Sequence, residues 1–378
     1  MRIIDRYLLR QFLRTFLICF VSLTGLFIVF DAFANLDEFI RCGKETGGVW
    51  LLLGSFYAFQ TIAFFDRTAG LITLISAMFT ISWMQRHNEM TALQSAGISR
   101  IRIVMPLIAT AMAITALSAA NRELVIPRFR EELTKRPQDL IGDKGQELQP
   151  RYDNLTDILI GGKWTYHNEK RIKQPRFLLP PELSDYGEEL AAADAFYKPP
   201  QAGRPGGYLL RGMTEPKGLA KLPSLTSKGE TVVITPHDAP DWLKPNECFV
   251  KSELTFDQLT GGRAFKEFSS TAQMIAGLHN RSLDYGADIR TKIHYRFVKP
   301  LLDITLLFLG LPLVVSRENR NVFIAIGICF GVTTVFFLVE IACQSMGAKS
   351  LLDPALAAWA PLIIFVPIAV GLAESMWR

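Results

Sequence analysis

Seven ionisable side chains stand in or beside strongly apolar stretches of this 378-residue chain: Asp31, Asp66, Arg67, Arg296, Lys299, Asp303 and Glu340. A charge is costly in hydrocarbon, so each of them points to a partner or a task. Lys299 and Asp303 are four residues apart, the spacing at which a helix brings a cation and an acid together. One reading is that these residues mark the water–membrane boundary. The other is a charged mouth that meets a phosphate-bearing amphiphile, with Arg and Lys on the head group and the apolar chains among helices. Arg41 and Lys44, just beyond the first apolar stretch, are placed to join that mouth.

Residues 85–103, QRHNEMTALQSAGISRIRI, form a second candidate. Asn88 is expected to cap a helix over residues 89–95, and Gly97 to end it. Met90, Leu93 and Gln94 then lie on the faces of a short amphipathic helix. Such a helix either packs on the bilayer surface or docks into a soluble partner's groove and passes motion to its flanking spans.

Enzyme chemistry finds little support. The sequence holds no GxxxxGK[ST] phosphate loop, no HExxH and no GxSxG. The five histidines (His87, His167, His237, His279, His294) lack metal-ligand spacing and read as exposed side chains. The five cysteines form no CxxC. Cys19, Cys329 and Cys343 lie in apolar segments as small hydrophobes, whereas Cys42 and Cys248 would share one compartment, where a disulfide between them is possible. The formal charge of +5 is not gathered into a nucleic-acid stripe.

Membrane-length apolar segments must position these groups. A bilayer core of ~30 Å needs about 20 apolar residues in helix. Six segments qualify: residues 15–34, 68–85, 103–121, 297–315, 322–344 and 355–376. Residues 49–65 are apolar too, and either lie along the outer interface or extend the second span. The leader, residues 1–14, places Arg2, Arg6, Arg10 and Arg14 at four-residue steps beside an apolar face. It reads as an interfacial helix that then turns into the bilayer. The first apolar run lacks a small-residue cleavage site and reads as an uncleaved anchor.

Basic residues orient the chain. Arg2, Arg6, Arg10, Arg14, Arg86, Arg100, Arg102, Arg317, Arg320 and Arg378 fall on one side, against Arg41, Lys44 and Lys349 in the short loops of the other. The positive-inside rule places both termini in the cytoplasm and residues 122–296 outside it. In that insertion, residues 157–166, 208–213, 231–235 and 248–256 read as short strands between Gly- and Pro-rich turns, which favours a sandwich or jelly roll. Ser269 or Ser270 is expected to cap a helix over residues 272–278, and residues 285–297 to lead a helix into the fourth span.

The whole length, in order, resembles the LptF/LptG (YjgP/YjgQ) permease family. The resemblance rests on Ile4-Asp5-Arg6-Tyr7-Leu8, on Arg86-His87-Asn88-Glu89-Met90 through Leu93-Gln94-Ser95-Ala96-Gly97-Ile98-Ser99-Arg100, on His294-Tyr295-Arg296-Phe297-Val298-Lys299-Pro300-Leu301, and on Gly310-Leu311-Pro312-Leu313. It implies six spans, three plus three, with a periplasmic β-jelly roll between the third and fourth, in a bacterial inner membrane. It also implies a non-catalytic half-permease, paired with a second LptF/LptG-type chain and bound to a cytoplasmic ABC ATPase dimer. On that resemblance the pair would extract lipopolysaccharide and pass it to a periplasmic jelly-roll bridge, with ATP used by the partner and no cofactor expected in this chain.

Glu89 matches the family's acidic residue facing the ATPase, with Arg86, Met90, Leu93 and Gly97 as the rest of the coupling element. Asp31, Arg41, Lys44, Arg67, Arg296, Lys299, Asp303 and Glu340 are the candidate lipid contacts. No basic residue stands between Arg14 and Arg41, where family members carry one in the first span. Gly70 stands near the place where they often open the second span with proline. The alternative is a mechanotransmission protein that relays ATPase motion to a periplasmic partner without moving lipid itself.

Overall fold

The computed structural model describes residues 3–46, 48–135, 145–167, 169–201, 204–227, 229–239, 241–260, 262–280, 282, 286–315 and 322–377. Arg2, Tyr285, Arg317, Arg320 and Arg378, used above for orientation or element limits, lie outside these. The chain divides into a helical unit, residues 1–133 with 286–378, and a β unit, residues 134–285.

The helical unit begins with α1 (Ile3–Ala34), α2 (Leu36–Thr46), α3 (Val49–Arg86), α4 (Glu89–Ser95), α5 (Arg100–Ala120) and α6 (Arg130–Thr134). A π turn (Asn121–Val125) and a 3-10 turn (Ile126–Phe129) join α5 to α6, with Pro127 opening the latter. Among the described residues, six helical stretches are long and apolar enough to cross a membrane. Their outward faces carry bare hydrophobic side chains such as Val21, Phe30, Phe330, Ile341 and Val370, the surface a bilayer would cover.

One sequence expectation changes here, and one open choice is decided. The leader does not turn: α1 runs unbroken from Ile3, because Leu8 and Phe12 continue the apolar stripe of Phe16 into the same core. Residues 49–65 extend the second span, giving a single 38-residue helix. At 1.5 Å per residue α3 is ~57 Å long, nearly twice the bilayer core. Its inward face includes the small residues Ala69, Thr73, Ser76, Ala77 and Thr80, which allow close helix contact, and Ser76 and Thr80 return their hydroxyls to carbonyls one turn back at 2.7 Å.

In the β unit the strands are β1 (Gln146–Glu147), β2 (Arg151–Asp153), β3 (Ile158–Tyr166), β4 (Arg171–Leu178), β5 (Glu189–Lys198), β6 (Gly207–Glu215), β7 (Leu225–Ser227), β8 (Glu230–Ile234) and β9 (Glu247–Lys251). They form one antiparallel sheet in the order β1-β3-β4-β5-β6-β9-β8-β7, with β2 also on β3. One face supplies a single core, from Leu148, Ile158 and Ile160 at one edge through Phe177 and Tyr208 to Val233 and Leu225 at the other. Within it Ser252 donates to buried Asp153 at 2.6 Å, and Tyr208 to the Leu254 carbonyl at 3.0 Å.

Three short helices follow: α7 (Phe256–Thr260), α8 (Gly262–Phe268) and α9 (Thr271–Leu278). Phe256, expected at a strand end, instead opens α7. Ser270 caps α9 in a reciprocal box with Gln273. The disulfide that was possible between Cys42 and Cys248 is not formed: both are buried as thiols, Cys248 inside the sheet core.

The helical unit resumes with α10 (Ala287–Val315), α11 (Val322–Ala348) and α12 (Pro354–Trp377). Of the six spans α10 is the most enclosed. It packs on α3, α5, α11 and α12.

Candidate functional site

Polar residues inside the helical unit converge on α10. Asp66 on α3 receives the Arg122 guanidinium at 2.9–3.0 Å through two nitrogens, and the Ser118 hydroxyl at 3.2 Å. Asn121 donates to the Ile62 carbonyl at 3.0 Å. The π turn that begins at Asn121 places these groups on α3, a use of π geometry common at functional positions. Next along the turn, Glu123 lies 3.7 Å from Arg296 of α10.

One turn further along α10, Lys299 pairs with Asp303 at 2.9 Å, the contact its i,i+4 spacing predicts. Glu340 of α11 completes the group. It lies 3.8 Å from Lys299, accepts the Tyr295 hydroxyl, and accepts Gln344 at 3.4 Å. The Lys299 ammonium also lies 5.9 Å from the Phe337 ring centre. Arg296, Lys299 and Glu340 are all less than a tenth exposed. Burying such charges is tolerable only because each meets its opposite, and removing one member leaves the other uncompensated.

Gly70 explains how Asp303 fits. A Cβ at this position would stand 2.3 Å from Asp303 Oδ1 and 2.7 Å from its Cγ. The bare glycine is what lets the Asp303 carboxylate lie against α3.

Of the expected lipid contacts, the structure therefore brings together Lys299, Asp303 and Glu340, with Arg296 one turn away. The other four make their contacts elsewhere or face outward. Asp31 accepts the Tyr57 hydroxyl at 2.8 Å and lines a shallow crevice of about 470 Å³ with Leu23, Leu26, Phe27, Phe30 and Phe64. Arg41 and Lys44 are exposed on α2, and Arg67 is exposed on α3. Sequence reasoning had named Asp66 without a partner, and had used Arg122 only as a boundary. The Glu340–Tyr295 contact spans 45 residues and carries no local signal.

The loop between α3 and α5 is the second arrangement. Met90 is buried and Leu93 packs partly against the same core as α1, α3 and α5, so α4 is seated on the bundle. Gly97 adopts φ 79°. Its amide meets the Gln94 carbonyl at 2.9 Å and the Ile98 amide meets Leu93 at 3.1 Å, the paired closure of a Schellman end. Asn88 precedes the helix as expected but does not cap it. It sits at φ 58°, ψ 15°, where a short Asn is tolerated, whereas side-chain capping needs an extended residue. The turn between α3 and α4 is too short to supply one. Arg86 is exposed at the end of α3, and Glu89 opens α4 with its carboxylate on the Tyr7 hydroxyl at 3.0–3.1 Å.

The carboxylates of the α10 cluster answer two arginines, a lysine, a serine, a tyrosine and one side-chain amide. Among the described residues no group of three or more His, Cys, Asp or Glu side chains is placed to hold a metal.

No curated protein matches the chain. The family model for the lipopolysaccharide export system permease LptF/LptG matches residues 6–155 and 213–375, which include both arrangements and leave out β3 to β5 and part of β6. On that match over most of its length, with six candidate spans around an antiparallel sheet unit, the chain belongs to the LptF/LptG family of lipopolysaccharide export permeases.

Proposed function

We propose that this chain is one half of a permease pair in a bacterial inner membrane, with both termini cytoplasmic and the β unit periplasmic. A cytoplasmic ATPase dimer docks on α4 at Glu89, beside the exposed Arg86, while Met90 and Leu93 seat the helix on the bundle. ATP-driven movement of that helix changes the helical packing and expels a lipopolysaccharide molecule toward a periplasmic bridge. The observation that carries this reading is the continuity of α3. One unbroken helix ends at the coupling loop and, sixteen residues or ~24 Å earlier, holds Gly70 against Asp303.

A push that α4 passes to α3 thus reaches the buried charge cluster along one unbroken helix. Two packings of that cluster would give the open and closed states that the ATPase selects between. Arg41 and Lys44, exposed on α2, supply cations for a lipid phosphate, while the self-paired cluster around Lys299 fixes the helices. Glu89→Lys in the purified complex tests the reading. ATP hydrolysis should no longer drive lipid release, with the spans still folded; coupled release at the wild-type level would overturn the docking role.

A further inference from the structure

The motif Ile4-Asp5-Arg6-Tyr7-Leu8 has no part in the function proposed above, yet the structure ties it to both ends of the coupling loop. The Tyr7 hydroxyl donates to the Glu89 carboxylate, 3.1 Å from Oε1 and 3.0 Å from Oε2. Asp5 pairs with Arg102 in the first turn of α5, its two oxygens 3.2 and 3.0 Å from one guanidinium nitrogen. At 100° per residue, Asp5 and Tyr7 lie on either side of the Ile4 and Leu8 face of α1. That face is buried: Leu8 is fully enclosed in the core that also takes Met90 and Ile103, with Ile4, Leu93 and Ile98 packed against it.

We infer that Asp5 and Tyr7 are positioning residues for Glu89, a strap by which the start of the first span sets the pose of the coupling helix. The inference rests on the reading that Glu89 meets the ATPase. A carboxylate has about four lone-pair sites, and one phenol proton occupies only one of them. Tyr7 therefore fixes the Glu89 rotamer and leaves the rest of the carboxylate open to a donor on the partner. Asp5 holds the opposite end of the loop, so that α4 cannot swing about its α3 junction.

The strap also explains the straightness of α1. An interfacial leader that turned at residue 14 would carry Asp5 and Tyr7 away from the loop, whereas the continuous helix delivers both residues to it.

The full chain in detergent, purified with its ATPase, provides the test. ATPase dissociation and coupled lipid release are measured for Tyr7→Phe, Asp5→Asn, Glu89→Gln and the Tyr7→Phe/Glu89→Gln double variant, with thermal unfolding of each. Tyr7→Phe keeps the ring and should weaken ATPase binding by about three- to tenfold, the range for one ordinary hydrogen bond. The double variant should be no worse than Glu89→Gln alone. Exchange of the ion pair (Asp5→Arg with Arg102→Asp) should restore what either single change loses. If Glu89→Gln impairs binding while Tyr7→Phe and Asp5→Asn bind as wild type, the strap is wrong and the docking reading stands. If Glu89→Gln itself binds as wild type, the docking reading fails and the strap with it.

Discussion

Gly70→Ala is a one-methyl change whose cost can be worked from the structure. The added Cβ would start 2.3 Å from Asp303 Oδ1, against the 3.4 Å at which ordinary contact begins, so the carboxylate must retreat by about 1.1 Å. Asp303 cannot retreat freely, because Oδ1 is also the atom that meets Lys299 at 2.9 Å. Losing that charge-assisted bond costs about 1.5–3 kcal/mol, and the residual crowding of a packed interior adds about 1 kcal/mol. Helix propensity returns up to ~1 kcal/mol, since Ala is favoured over Gly within α3. The net expectation is a loss of about 1.5–3 kcal/mol in the helical unit.

The assay is unfolding in mild detergent, followed by tryptophan fluorescence, for Gly70→Ala, Asp303→Ala and the pair. Asp303→Ala alone should cost about 3 kcal/mol, the low end for stranding a buried charge, because Glu340 still lies 3.8 Å from Lys299. In the pair the clash has no carboxylate to meet, so the double variant should be no less stable than Asp303→Ala alone. A Gly70→Ala protein as stable as wild type, or strictly additive losses, would refute the claim that Gly70 exists to admit Asp303.

Three further outcomes are expected. Gly97→Ala places a side chain at φ 79° and should cost about 1 kcal/mol at the end of α4, read as faster amide exchange at Gly97 and Ile98. Ser270→Ala removes the hydroxyl that caps α9 and should destabilise the β unit by about 1 kcal/mol in denaturant unfolding. Burial pushes the Cys248 thiol up to about 12, so maleimide at pH 8 should leave it unlabelled until the β unit unfolds. The sign follows from linkage: the folded state holds the proton more tightly, so this contribution is full below pH 9, the ordinary thiol value, and fades as pH rises from there toward 12.

The spans were legible because a bilayer demands long apolar runs, and nothing else in the chain imitates them. Their exact reach was not, since Asp66 and Arg67 read as a break until Arg122 and the π turn supply a partner for Asp66. In the sheet, strands with plain alternation and β-branched residues stood out, while β4 and β5 did not. β4 buries Ile172, Pro175 and Phe177, with Gln174 at φ 50° breaking the period-two pattern. β5 is rich in alanine, a helix former, and shifts register between Ala191 and Ala192. Lys299–Asp303 was readable from spacing alone. Glu89–Tyr7 was not, because its partners stand 82 residues apart and only the packing of α1 beside α4 and α5 joins them.

Isolation of the tagged chain from its native membrane, followed by mass spectrometry of bound proteins and lipids, tests the central claim most directly. The account predicts an ABC-type ATPase, a related six-span chain or a second copy of this one, and lipopolysaccharide, with the ATPase lost on Glu89→Lys. A preparation that keeps its fold but carries no ATPase would contradict it.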